Sequence, residues 1–203
     1  ETHIAPVCAG VHISEEDAWG LPFTTMDGAG LEALHACAPI AARDLRTADR
    51  LAKLGIPHSL TASLVLTMEH PTVKRSGVIC CDVPEEVVTL LQGFRKDVTV
   101  LTHELRDPSP DFAVRMEAAK ALVDRYAAAE MVFTRRLHCA MACLALGTPV
   151  LLLYHSDYED ITRFAPLDGM VRTQPVDAFL QELGLGEVGV AFHVDAHSSS
   201  SSS

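Results

Sequence analysis

Between Gly77 and Tyr154 short apolar runs alternate with segments of helical periodicity, and this alternation limits the fold more than any other feature of the chain. Gly77 to Cys81, Val98 to Thr102, Met131 to Thr134 and Pro149 to Tyr154 read as strands; Pro84 to Phe94, Asp111 to Ala129 and Leu137 to Leu146 read as helices. Strands separated by helices pair in parallel, with the helices covering the sheet. Val150 to Leu153 is apolar at every position, as a strand buried on both faces requires.

The expected class is therefore α/β, with parallel sheets in Rossmann-like lobes. The first part of the chain carries a weaker version of the same pattern. Pro6 to Ile13 is an apolar, strand-like segment containing His12; Gly30 to Ala38 has helical character; Pro39 to Ala42 is apolar again. Asp44 is placed to cap a helix through Leu45, Ala48, Leu51 and Leu54, and Gly55 supplies its stop. Ser59 to Met68 reads as a further strand-like run, and the polar stretch Glu69 to Arg75, holding Pro71, reads as a linker. The expected division is a partial amino-terminal α/β lobe over 1–73, a Rossmann-like lobe over 74–192 and a disordered tail over 193–203. After the strand ending at Tyr154 come a polar stretch from His155 to Asp160, an apolar one from Ile161 to Pro166, and a last helix at Val176 to Leu183. Ligands of open α/β sheets gather at such strand ends.

Composition excludes some classes of function. The formal net charge is −11, with 16 Lys and Arg scattered along the chain, so no basic face is expected for nucleic acid. The apolar run Cys139 to Tyr154 is broken by Gly147, Thr148 and Pro149 and reads as helix, turn and strand, so no membrane span is expected. The start at Glu1 lacks the charged and apolar regions of a signal peptide, and a cytoplasmic location is the expectation. The six cysteines form no CxxC pair and read as reduced packing residues. The ten histidines form no HExxH or other ligand-spaced cluster, so neither a metal nor a cofactor is expected. Asp27-Gly28-Ala29-Gly30 lacks the third glycine and the leading strand of a dinucleotide loop and reads as a turn.

The segment with most chemical content is Thr134-Arg135-Arg136-Leu137-His138, at the junction of a buried strand and an apolar helix. Backbone amides there point outward without helical partners and attract phosphate or carboxylate. Arg136 would add a bidentate cationic fork, and His138, in the first helical turn beside the positive helix end, would be a neutral imidazole able to accept or relay a proton. The plainer reading makes both arginines solvated and His138 a packed residue. Arg43, after the Pro39 to Ala42 strand, is a second basic element next to the capping Asp44.

Ile40-Ala41-Ala42-Arg43-Asp44-Leu45-Arg46-Thr47, with Leu51 and Gly55-Ile56, resembles the "RD..T...L...GI" segment of polysaccharide pyruvyl transferases. Val132-Phe133-Thr134-Arg135-Arg136-Leu137-His138-Cys139-Ala140, with Gly147-Thr148-Pro149-Val150, is similar to that family's "RLH.....A...G.PV" signature and is the more specific half. The motifs keep the family's order, and the resemblance spans roughly Pro6 to Asp168. Ala9-Gly10-Val11-His12 resembles a glycine-rich family segment of which one glycine remains.

The resemblance implies a two-lobed, glycosyltransferase-B-like fold and transfer of pyruvate from phosphoenolpyruvate to two sugar hydroxyls as a cyclic ketal. It further implies Arg43 and Arg136 as donor-binding residues, His138 as the catalytic proton-transfer group and His12 as an acceptor-site candidate. Two departures stand out: the amino-terminal lobe is shorter than the family's and expected to be incomplete, and no lysine follows the "PV" strand between Tyr154 and Glu159. The alternatives are a nucleotide-sugar glycosyltransferase of the same architecture and an inactive binding module.

Overall fold

The structure, a computed structural model, describes residues 7–13, 28–69, 71–104, 111–155, 164, 167 and 169–184. The expected tail, the polar stretch after His155 and most of Ile161 to Pro166 lie outside these residues.

The larger sheet is built from β3 (Val78–Cys81), β4 (Val98–Leu101), β5 (Met131–Thr134), β6 (Val150–Tyr154) and β7 (Arg172–Pro175). Every pairing is parallel, in the order β4-β3-β5-β6-β7. The connecting helices are α3 (Glu85–Phe94), α4 (Phe112–Ala128), α5 (Leu137–Ala145) and α6 (Val176–Gly184). Side chains alternate across the sheet, as a strand's two-residue period dictates. Val78, Cys80, Phe133, Leu151 and Leu153 pack with Val87 and Leu91 of α3 and Val176 and Phe179 of α6. Ile79, Cys81 and Val132 face the other way, onto Tyr126 and Ala127 of α4 and Cys139, Ala142 and Cys143 of α5. Both faces are therefore covered, which explains why β5 and β6 are apolar without alternation.

The smaller sheet pairs β1 (Ile40–Ala42) with β2 (His58–Leu60) in parallel. Helix α1 (Gly28–Ala36) precedes it, and α2 (Leu45–Lys53) connects its strands. Ile13, Ile40, Ala42, Leu51 and Ile56 form its core. The segment expected as a strand before His12 contributes a single bridge, Val11 to Ala42. Gly28 to Gly30, expected as a turn, opens α1 instead. Leu45, expected on the apolar face of α2, is exposed, whereas Thr47 and Leu51 are buried.

The run Ser59 to Met68 is not one strand. β2 ends at Leu60, Ala62 takes a left-handed φ of 60°, and Ser63 caps a 3₁₀ turn at Leu64–Thr67. Extended pairing cannot pass through such a backbone. Val65 and Met68 join the Tyr126 core and Leu66 packs near Met141, so the chain reaches the second core before the polar linker begins. Within that linker Arg75 donates to Ala127 O at 3.2 Å and Leu146 O at 2.8 Å, satisfying carbonyls at the ends of α4 and α5. At the close of α5, Gly147 takes φ 64° while its N–H and that of Thr148 bond back to Leu144 O and Cys143 O, so the helix stops where expected.

Candidate functional site

The larger sheet has its topological switch at β3. β4 lies on one side of β3 and β5 on the other, and the chain leaves β3 and β5 towards opposite faces. A crevice opens beyond the carboxyl ends of strands arranged in this way. Cys81 and Thr134 are register partners at those ends, so the residues that follow them, Asp82 and Arg135-Arg136, form the rim.

Asp82 has a left-handed φ of 51°, a conformation Asp tolerates better than most residues. Its Oδ2 accepts the His103 N–H at 3.0 Å and Arg136 Nε at 2.9 Å. Burial works against its charge, but the Thr102 hydroxyl, the His103 N–H and Arg136 outweigh it and hold its carboxyl below the usual range. Arg136 is also gripped by the exposed Glu104 carboxylate. Two carboxylates thus position the guanidinium expected to bind an anion, while the Arg136 backbone N–H donates to Thr134 Oγ1 at 3.0 Å. Arg136 is the N-cap residue of α5, whose first turn has no side-chain cap.

The smaller sheet brings its own carboxyl end to this place. Arg43 follows β1, and its Nη1 donates to His138 Nε2 at 3.1 Å across 95 residues of sequence. A guanidinium can only donate, so Nε2 accepts and the ring is neutral, with its proton on Nδ1. His138 is exposed in the first turn of α5. The next residue, Asp44, binds the other expected histidine: His12 Nδ1 lies 2.7 Å from Asp44 Oδ2. Asp44 Oδ1 accepts the Thr47 N–H at 2.9 Å, the cap expected for α2. Burial opposes the charge on Asp44, yet the Thr47 N–H and His12 hold its carboxyl below the ordinary range.

Arg43 and His138 are therefore in direct contact, His12 is held by the residue next to Arg43, and Arg136 is turned towards Asp82 and Glu104. A sequence model of polysaccharide pyruvyl transferases matches residues 31–157, which contain both contacting motif segments. The chain belongs to the polysaccharide pyruvyl transferase family. It is accordingly a member of a transferase family, with parallel α/β sheets and no helix, among the described residues, long and apolar enough to cross a membrane. No curated protein matches it, and no solved structure does.

Asp82, Glu104 and His103 escaped the sequence reading. Asp82 directly follows a fully apolar strand, the position where α/β ligand sites gather, and that was the available signal. Beneath this rim, Cys81, His103 and Cys139 place their ligand atoms within 4.8 Å of one another, the set among the described residues that could hold a soft metal ion. The two thiols hold their protons firmly. Cys81 bonds to Cys139 and Tyr126; the bond to Cys139 and burial push its thiol far up, against the opposing pull of the Tyr126 hydroxyl. Cys139 is pushed up to about 12, first by its bond to Cys143. Burial lowers His103. Thiols in this state are packing groups rather than nucleophiles at neutral pH.

The two depressed carboxyls set an acid limit. A group whose folded pKa lies below its unfolded value stabilises above the unfolded value and loses that contribution as pH falls through the folded one. Asp44 and Asp82, about 3.9 when unfolded, therefore predict a melting temperature that is steady near neutrality and drops below about pH 4. Asp82→Asn should melt lower at pH 7 and lose less between pH 5 and pH 2, which thermal melts across pH will check.

Proposed function

We propose that this family member moves the pyruvyl group of phosphoenolpyruvate onto two hydroxyls of a glycan, forming a cyclic ketal. The observation that carries the reading is the 3.1 Å bond from Arg43 to His138, which unites the family's two motif segments where two parallel sheets end. We read the chain up to the linker as an amino-terminal lobe and the rest as a carboxy-terminal lobe, with the site between them, in a glycosyltransferase-B-like arrangement. Arg43 and Arg136 would hold the donor's carboxylate and phosphate through charge-assisted bonds, helped by the uncapped first turn of α5. Such donors act most strongly where water is excluded.

His138 would carry a proton between the reacting groups. Its Nε2 lone pair is held by Arg43, and an anion drawn to Arg43 competes for that guanidinium and uncovers the nitrogen. Donor binding and readiness of His138 for proton transfer are then the same event.

Arg136 must exchange a partner to bind an anion. Asp82 is largely buried and fixes the orientation, while the Glu104 side chain is 69% exposed and is the cheaper one to displace. Exposed pairs are worth roughly 0.2–1 kcal/mol, so Glu104→Gln should bind phosphoenolpyruvate about two- to fivefold more tightly. Calorimetric titration measures this directly; weaker binding would show that Glu104 supports the donor site instead of competing with the donor.

Activity itself is tested by incubating the protein with phosphoenolpyruvate and a glycan diol and following phosphate release together with the ketal methyl signal by NMR. Turnover with a nucleotide sugar in place of phosphoenolpyruvate would reject the proposal.

A further inference from the structure

Arg43 and Asp44 are consecutive, and each engages a different histidine. The two rings are prepared differently. An ionised carboxylate can only accept, so Asp44 holds a proton on His12 Nδ1 and leaves Nε2 as the nitrogen not engaged by that carboxylate. The carboxylate is itself held by the Thr47 N–H and is almost fully buried, whereas the His12 ring remains 27% exposed. The backbone on both sides of the ring is anchored. Arg43 N–H donates to Val11 O at 2.8 Å, and Ile13 N–H donates to the buried Thr47 Oγ1 at 3.0 Å. A buried aspartate that fixes the tautomer of a partly exposed imidazole is the arrangement of a general base.

Ketal formation needs such a base. Two acceptor O–H bonds break; one of the protons ends on the donor's methylene carbon and the other on hydrogen phosphate. We propose that His12, oriented by Asp44, is the base that takes the proton from the attacking acceptor hydroxyl, an assignment that rests on the pyruvyl-transfer reading above. In that step the hydroxyl O–H bond breaks to His12 Nε2 and the oxygen bonds to the donor's central carbon. The double-bond electrons pass to the methylene carbon, which takes a proton relayed from solvent by His138. The C–O bond to phosphate then breaks with its electron pair on phosphate, the second hydroxyl adds at the same carbon as its proton passes to that phosphate, and His12 returns its proton to solvent. His12 is the catalytic residue here and Asp44 the positioning residue.

The chemistry names the acceptor class: a sugar whose two hydroxyls stand close enough to close one ketal ring, either vicinal or separated by one further carbon. Methyl β-D-galactopyranoside offers both and serves as the probe. Two variants test the assignment. In Asp44→Asn the Thr47 N–H claims the amide oxygen, so the amide NH₂ faces His12 and moves its proton to Nε2. Asn caps helices as well as Asp does, so folding is kept. His12→Gln removes the base outright.

Nitrogen-15 NMR of the parent should show His12 protonated on Nδ1, and of Asp44→Asn on Nε2. Both variants should lose about a hundredfold or more in kcat while phosphoenolpyruvate still raises their melting temperature as it does the parent's. Protonation of the parent ring on Nε2, or unchanged kcat in His12→Gln, overturns the assignment. If phosphoenolpyruvate fails to stabilise the parent, the pyruvyl-transfer reading itself falls; stabilisation with unchanged turnover in His12→Gln removes only the role of His12.

Discussion

His138→Ala is expected to reduce turnover by about a hundredfold or more, the usual contribution of a positioned acid-base group. The loss should appear in kcat, because Arg43 and Arg136, the proposed donor-binding residues, remain in place and the ring is not part of the core: His138 is exposed on α5, while its neighbours Leu137 and Cys139 are buried. Steady-state phosphate release at saturating phosphoenolpyruvate measures it. A kcat within about twofold of the parent's, in a variant with the parent's melting temperature, would exclude proton transfer by this ring.

Phe133→Ala should cost about 3–5 kcal/mol, the range for truncating a buried phenylalanine. Phe133 is 2% exposed in the central strand β5 and meets Phe179 with ring centroids 5.5 Å apart. The surrounding Val78, Leu151 and Leu153 belong to neighbouring strands and collapse poorly into the space. For a chain of this length that corresponds to a fall in melting temperature of roughly 6–20 °C. Phe179→Ala should cost less in the Phe133→Ala background than alone, because the partner ring is already gone. Additive costs would mean that the rings do not share one contact.

The larger sheet was legible because its signals agree. Helix α5 is followed by Gly147 at a left-handed turn and by the apolar strand β6, so periodicity, stop signal and burial all point to one arrangement. β7 was not legible. Arg172-Thr173-Gln174-Pro175 is a polar edge strand, fixed by pairing with β6 rather than by its own pattern, and Pro175 is tolerated there. Ser59 to Met68 misled for the opposite reason: its apolar side chains fit a strand, but a left-handed Ala62 redirects them into the second core.

The candidate site divides in the same way. Arg136 and His138 stand out locally as charge and imidazole at a strand-to-helix junction, and Arg43 and His12 gained meaning only through the family motifs. Their partners were hidden. Asp44 reads as a helix cap, which it is, and the sequence has no mark for its second role of holding His12. Glu104 and Asp82 look like ordinary charges near strand ends until the fold brings them to Arg136.

The pyruvyl-donor site is tested most simply by thermal melts with increasing phosphoenolpyruvate, on the parent, Arg43→Ala and Arg136→Ala. A ligand that binds only the native state adds about 2.7 kcal/mol at a hundred times its Kd, or roughly 5–10 °C here. The prediction is a saturable rise in the parent that is lost in Arg43→Ala and reduced in Arg136→Ala. No rise in the parent, or an equal rise in all three proteins, would contradict a donor site formed by these arginines.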